Sequence, residues 1–164
     1  MKLTLLTTSL ILSTLCSLAQ NKLMKGKWQI KNIQLVSYKG NPNFVLNDTT
    51  AMLSELLRSY KLEQPEKQFT QDDTLKASDE IKSFYEMRNA VLNYDGTNKY
   101  EVFMINDKKI LVKGTYTYDL KQKKLVTYTK PNGKLKTEIA TATIVGNVLY
   151  ISNRSSKSNY ELIN

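Results

Sequence analysis

Histidine is absent from this chain of 164 residues, and cysteine occurs once, at Cys16. Cys16 lies in an N-terminal run marked for removal, so the remaining chain carries neither imidazole nor thiol. That excludes zinc centres built on Cys or His, cysteine nucleophiles, Ser-His-Asp triads and His-ligated haem. Paired carboxylates for acid–base work must converge in a cleft. Asp72-Asp73 and Asp79-Glu80 stand in polar stretches and read as solvated charge. No catalytic residue, metal ligand or cofactor is assigned, and the chain is not read as an enzyme. Tryptophan is equally scarce: the only one, Trp28, follows Gly26 by two residues.

The one long apolar run, Leu3 to Leu15, is shorter than the roughly 20 residues that cross a bilayer. Preceded by Lys2 and followed by "CSLAQ", it has the basic start, apolar centre and small residues of a secretory signal. Ser17 and Ala19 suit the peptidase, which places the cut after Ala19 and the product outside the cytoplasm, secreted or periplasmic. The competing reading is a lipoprotein acylated at Cys16. Leu15 stands immediately before it, where that processing wants a small side chain. Residues 20–164 suit one domain with a single core, read as a monomer.

The formal charge of +9 is unevenly spread. Gln20 to Phe44 holds five lysines and no acid, Val45 to Asp95 holds ten acids against six bases, and the remainder twelve bases against five acids. Two basic blocks flanking an acidic one suggest complementarity within the chain before any outside polyanion. The Lys/Tyr interleaving of "KGTYTYDLKQKKLVTYTK" has the look of a nucleic-acid surface. Lysines guarding a strand against edge pairing explain it more simply, and export argues against nucleic acid. A basic rim would instead meet anionic glycans or lipid headgroups through salt-sensitive contacts.

From Ala90 onward the sequence reads as short β-forming runs separated by closely spaced turns, the pattern of an antiparallel barrel or sandwich. "AVLNY" leads through Asp95-Gly96 to "KYEVFMI", and then come "ILVKGTYTYD", "KLVTYT", "KLKTEIATATI", "VLYIS" and "NYELI". With "GKWQIKNIQLVS" the count is about eight, the number that closes a barrel around side chains or one small ligand. Alternation assigns Tyr100, Val102 and Met104 to the interior, opposite Lys99 and Glu101. In the same way it turns Ile110, Val112, Gly114, Tyr116 and Tyr118 inward, and Leu135, Thr137 and Ile139 opposite Lys136 and Glu138. Trp28 and Ile30 share one parity, Ile33 and Leu35 the other, which predicts a bulge near Lys31 and Asn32. Gly114 inside a strand suits a sharp bend.

The middle, residues 45–89, reads as an insert between the first two barrel strands. "TTAMLSELLRSYKL" places Met52, Leu53, Leu56, Leu57 and Tyr60 on one helical stripe, capped by Asp48 or Thr49. "ASDEIKSFYEMRN" predicts a second helix capped by Ser78, with "EQPEKQFTQDDT" between them as a polar linker. Turns of an up-and-down barrel alternate between its ends, so the acidic insert shares an end with "NDKK", "KPNG" and "NRSSKS". A lid held partly by charge is the resulting expectation.

Gly26-Lys27-Trp28, "LNYDGTNKYEV", "KGTYTYD" and "KLVTYTKPNGKLKTEIATATIVGNVLYIS" resemble the small secreted lipocalin-like proteins of bacteria, within the calycin group of barrels. The resemblance implies an eight-stranded antiparallel up-and-down barrel with Gly26 and Trp28 at its floor. It leaves the insert outside, and "NYELIN" lacks the arginine that lipocalins proper set over the Trp. The implied function is binding of a small apolar or amphipathic molecule without catalysis. The candidate lining is Ile30, Tyr100, Val102, Met104 and Val112, with Tyr116, Tyr118, Ile139 and Tyr160. A barrel filled by these same side chains stands beside the hollow one, and a protein-interaction module with the barrel as scaffold stands beside the carrier. Mass spectrometry of the exported protein is expected to find Gln20 at its N-terminus; an acylated Cys16 there selects the lipoprotein.

Overall fold

Nine strands and two helices make up the computed structural model, which describes residues 21–163. The leader, with Cys16 and the cut after Ala19, lies outside the described residues. The strands are β1 (Gly26–Leu35), β2 (Asn43–Val45), β3 (Ala90–Tyr94), β4 (Lys99–Met104), β5 (Ile110–Asp119), β6 (Lys124–Thr129), β7 (Lys136–Val145), β8 (Val148–Ser152) and β9 (Ser156–Ile163). Between β2 and β3 come α1 (Thr49–Glu63) and α2 (Gln71–Met87). Every pairing is antiparallel. β1 and β3 to β9 form the closed eight-stranded ring, β1 pairing with β9, and β2 adds a short strand beside β1. The eight ring strands are those read from the alternation, and the form is calycin-like. The short β2, three residues long, left no periodic signal in the sequence.

One edge of β1 serves two partners. Gly26 to Gln29 pair with β3, whereas Asn32 to Gln34 pair with β2. The change falls at a bulge: the β1–β9 register slips between Ile30 and Asn32, at the position the parity switch predicted. Skipping Lys31 lets Ile30 and Ile33 both face inward, so β1 lines the lower barrel and then supports the insert. A second slip lies between Val102 and Phe103 on β4, opposite Leu111. It moves Ile110 onto the outer face beside Phe103, which corrects the inward assignment of Ile110.

The lower half of the ring is packed with Trp28, Tyr94, Tyr116, Leu125 and Leu149 around Met24. Met24 belongs to a 3₁₀ turn (Lys22–Met24) just before β1 that crosses beneath the barrel. Its carbonyl accepts the Trp28 indole N–H at 2.9 Å, which pins Trp28 at this end of the barrel, 2 % exposed. Asn21 closes the same end. Its Oδ1 accepts the Tyr118 amide at 3.0 Å, its carbonyl accepts the Tyr116 hydroxyl at 3.1 Å, and its side-chain amide donates to the Thr97 carbonyl. Gly114 is explained by close approach: a Cβ there would lie 2.3 Å from the Tyr128 carbonyl oxygen and 2.7 Å from the Tyr100 ring.

The insert packs on the upper, inward face of β1 and β2. Ile33, Leu35 and Phe44 meet Met52, Leu56, Ala77 and Ile81, and the Phe44 and Phe84 rings stand 5.1 Å apart. Asp48 caps α1 by accepting from the Ala51 amide. α2 starts at Gln71, eight residues before the predicted start after Ser78, because Thr70 and Asp73 form a reciprocal capping box. "QDDT" carries no apolar stripe, so periodicity read it as linker although its first turn is the best capped in the chain. Polar moorings run to the β1–β2 loop, where the Tyr38 hydroxyl donates to one Glu80 oxygen at 2.9 Å and Arg58 donates to the Gly40 carbonyl, while the Tyr60 hydroxyl of α1 donates to the other Glu80 oxygen at 2.5 Å and ties the two helices together. None of the five ion pairs among the described residues joins a helix to the lysine-bearing turns. The insert is held by apolar packing and by Glu80, not by the charge complementarity that its composition suggested.

Asn21→Ala removes two bonds and leaves the buried Tyr118 amide without an acceptor, which costs on the order of 1–3 kcal/mol. Urea unfolding is expected to show a lower midpoint at unchanged slope; an unaltered midpoint contradicts the floor assignment.

Candidate functional site

Strand pairing decides which side chains share the barrel interior. Trp28 lies opposite Leu92, Leu92 opposite Val102, and Val102 opposite Val112. Tyr100 lies opposite Tyr94 and Gly114, Tyr116 opposite Thr127, and Thr127 opposite Glu138. Following this rung around the ring puts Glu138, and with it Lys136 and Ala142, on the inward side. The buried Ala142 fits that parity. Ile139 therefore points outward, 60 % exposed, as do Leu135 and Thr137. The inward assignment of Ile139 is corrected. The rule that polar residues mark the outside fails here because the strand end lies at an open mouth, where an inward side chain still meets water.

The remaining candidates divide by height. Gly26, Trp28, Tyr116 and Tyr118 belong to the packed floor. The Tyr118 hydroxyl donates to the Ala142 carbonyl at 3.2 Å and that of Tyr116 to Asn21, so both polar tips are engaged by backbone. Tyr94 stands at the centre, its ring 4.7 Å from Tyr116 and 5.8 Å from Tyr100. Tyr160 on β9 bridges the floor cluster and the cluster under the helices, with Ile30 beside it. Above Tyr100 the packing opens. Val102 and Met104 are partly exposed, and Val112, on the same inward rung as Val102, is 36 % exposed.

At this lip the sequence reading missed a polar group. Lys136 and Glu138 form an ion pair of 2.7 Å, each side chain mostly exposed, on the inward face above Tyr100. The Tyr100 phenol is shifted up chiefly by burial, with the Thr127 hydroxyl lowering it, Glu138 raising it and Lys136 lowering it. A pairing map, but not alternation alone, could have found them, since their partners Thr129 and Thr127 lie opposite Gly114 and Tyr116, which alternation already places inside. The mouth thus offers an apolar wall of Val102, Met104 and Val112, a tyrosine floor, and one cation and one anion at the edge. Among the described residues no cluster of three or more His, Cys, Asp or Glu could hold a metal.

No family model matches the chain, and no curated protein and no solved structure matches it either.

Burial raises the phenols of Tyr94, Tyr160, Tyr100 and Tyr118 above their ordinary value near 10, and that of Tyr116 to about 12. A folded pKa above the unfolded one means stability that is complete below about pH 10 and lost as pH rises through the folded values. With no histidine, none of the loss falls between about pH 6 and 9. Absorbance at 295 nm should show the core phenolates appearing only together with loss of the far-ultraviolet β signal, above pH 10. Full ionisation near pH 10 with the β signal intact contradicts the packed floor.

Proposed function

We propose that the chain is a secreted lipocalin-like carrier that holds a small apolar or amphipathic molecule in the upper half of its barrel and performs no chemistry on it. The observation that carries this reading is the inward-facing Val112, more than one-third exposed. An apolar side chain aimed toward the barrel axis and still wet is apolar surface at the mouth that the fold leaves uncovered, and covering it is what an apolar ligand would gain. The filled floor limits the ligand to the space between Tyr100, Tyr160, Val102, Met104 and the helices. Lys136 and Glu138 at the lip suit a polar head on an otherwise apolar body. The interaction-module alternative draws support from Leu75, 57 % exposed on α2.

Titration with N-phenyl-1-naphthylamine tests the carrier reading, with displacement by a medium-chain fatty acid. Saturable uptake is expected, weakened about tenfold by Val112→Asp, which sets a charge in the apolar wall. Lys136→Glu should weaken the fatty acid more than the neutral dye. Absence of saturable uptake, or uptake indifferent to Val112→Asp, rejects the mouth as the site and favours the interaction module.

A further inference from the structure

The outer face of the barrel carries a groove of about 380 Å³ whose lining shares no residue with the mouth. It crosses five strands, β7, β8, β9, β1 and β2, and its position follows from register. One rung runs Thr143, Tyr150, Asn159, Asn32. The next runs Thr141, Ser152, Lys157, Gln34, Asn43. Their neighbours along each strand, Ile33, Leu35, Leu149 and Ala142, are buried inside, so these rungs face outward. β2, joined to β1 just past the bulge, supplies the far wall.

We propose that this groove binds an acidic oligosaccharide. Three properties of its lining select that chemistry. Carboxamides and hydroxyls dominate, groups that both donate and accept and so match the alternating demands of sugar hydroxyls. Tyr150, 47 % exposed, offers a ring face for the C–H side of a pyranose while its hydroxyl stays wet. The lining contains no carboxylate and one cation, Lys157, which enters none of the five ion pairs among the described residues. An acidic sugar therefore meets a complementary charge and no carboxylate within the lining, the nearby Glu161 being paired with Lys31 at 3.4 Å, on a chain whose formal charge is +9.

Asn159 adds an independent observation. It lies between Tyr150 and Asn32 on the central rung, and its Oδ1 is shielded from solvent with no hydrogen-bond partner. Buried acceptors are satisfied in the great majority of folds, and this one, shielded beneath a polar groove, has no internal partner that would hold the carboxamide against turning toward a donor from outside. A sugar hydroxyl supplies it after a small turn of the carboxamide. The volume lies within the roughly 300–1,000 Å³ of small-ligand sites and suits a short saccharide stretch rather than a protein surface.

An array of acidic (uronate, sialylated, sulfated) and neutral oligosaccharides, probed with the intact secreted protein, tests the assignment. Binding to acidic members is expected, falling with added salt. Tyr150→Ala should weaken it at least about tenfold, Lys157→Gln should remove the preference over neutral sugars, and Val112→Asp should leave it unchanged. Both groove side chains are exposed, and circular dichroism confirms that the variants fold. Binding to no saccharide, binding insensitive to both groove variants, or binding only to anionic vesicles overturns the proposal. Because Val112→Asp touches the mouth alone, failure here and failure of the carrier reading are separable.

Discussion

Hydrogen bonding between β1 and β9 is the constraint on which the rest depends. Eight residue pairs join the first and last ring strands, from Lys27 with Ile163 to Leu35 with Ser156, with one skip at Lys31. Without that seam the sheet has two open edges and Trp28 has no opposite wall. With it, every ring strand is paired on both sides, which removes the edges that invite aggregation. It is also a contact of the longest possible sequence separation, so its loop-closure entropy is met only when the intervening strands are already in place.

The skip at Lys31 divides the molecule's labour. Below it β1 faces a core of aromatic rings in which the Tyr116 and Tyr118 hydroxyls are bonded to backbone carbonyls; above it the same face of β1, now joined by β2, receives two helices. Tyr160 sits opposite Ile30 at the boundary and touches both clusters. The insert leans on one side of the ring only, because its apolar stripe matches Ile33, Leu35 and Phe44 and finds no such surface on β5 to β7. The mouth on that far side stays open for this reason, and its inward positions become wet. The same extension of β1 by β2 builds the wall of the outer groove, so one bulge underlies both candidate sites.

Much of this was legible in the residues because burial on one face of a strand imposes period two and burial of one helical stripe imposes a period near 3.6. The eight ring strands, the bulge after Ile30 and the first helix all follow from such patterns, whereas the floor position of Trp28 was implied by the resemblance of its Gly26-Lys27-Trp28 segment. Besides the three-residue β2, too short to show a period, three features escaped. The start of α2 rests on the Thr70–Asp73 capping box, a hydrogen-bond signal with no hydrophobic period. Ile110 was displaced by an extra residue at Leu111, which alternation within one strand cannot register. Alternation turns Ile139 inward because Lys136 and Glu138 have the chemistry of a solvent face, whereas the open mouth supplies solvent to both faces.

The sequence by itself determined what is local or compositional: strand and helix identity, the turn positions, the absence of imidazole and of any thiol beyond Cys16, and the excess of positive charge. Only the tertiary structure decided which strand ends are covered and which are open, that Asn21 and Met24 seal the floor, that Lys136 and Glu138 stand over Tyr100, and that Tyr150, Asn159 and Lys157 share a groove with Asn32 and Gln34. These are relations between residues that lie tens to more than a hundred positions apart. Their geometry is set by strand register around a closed ring, and a periodic pattern within one segment carries no information about which segment lies beside it.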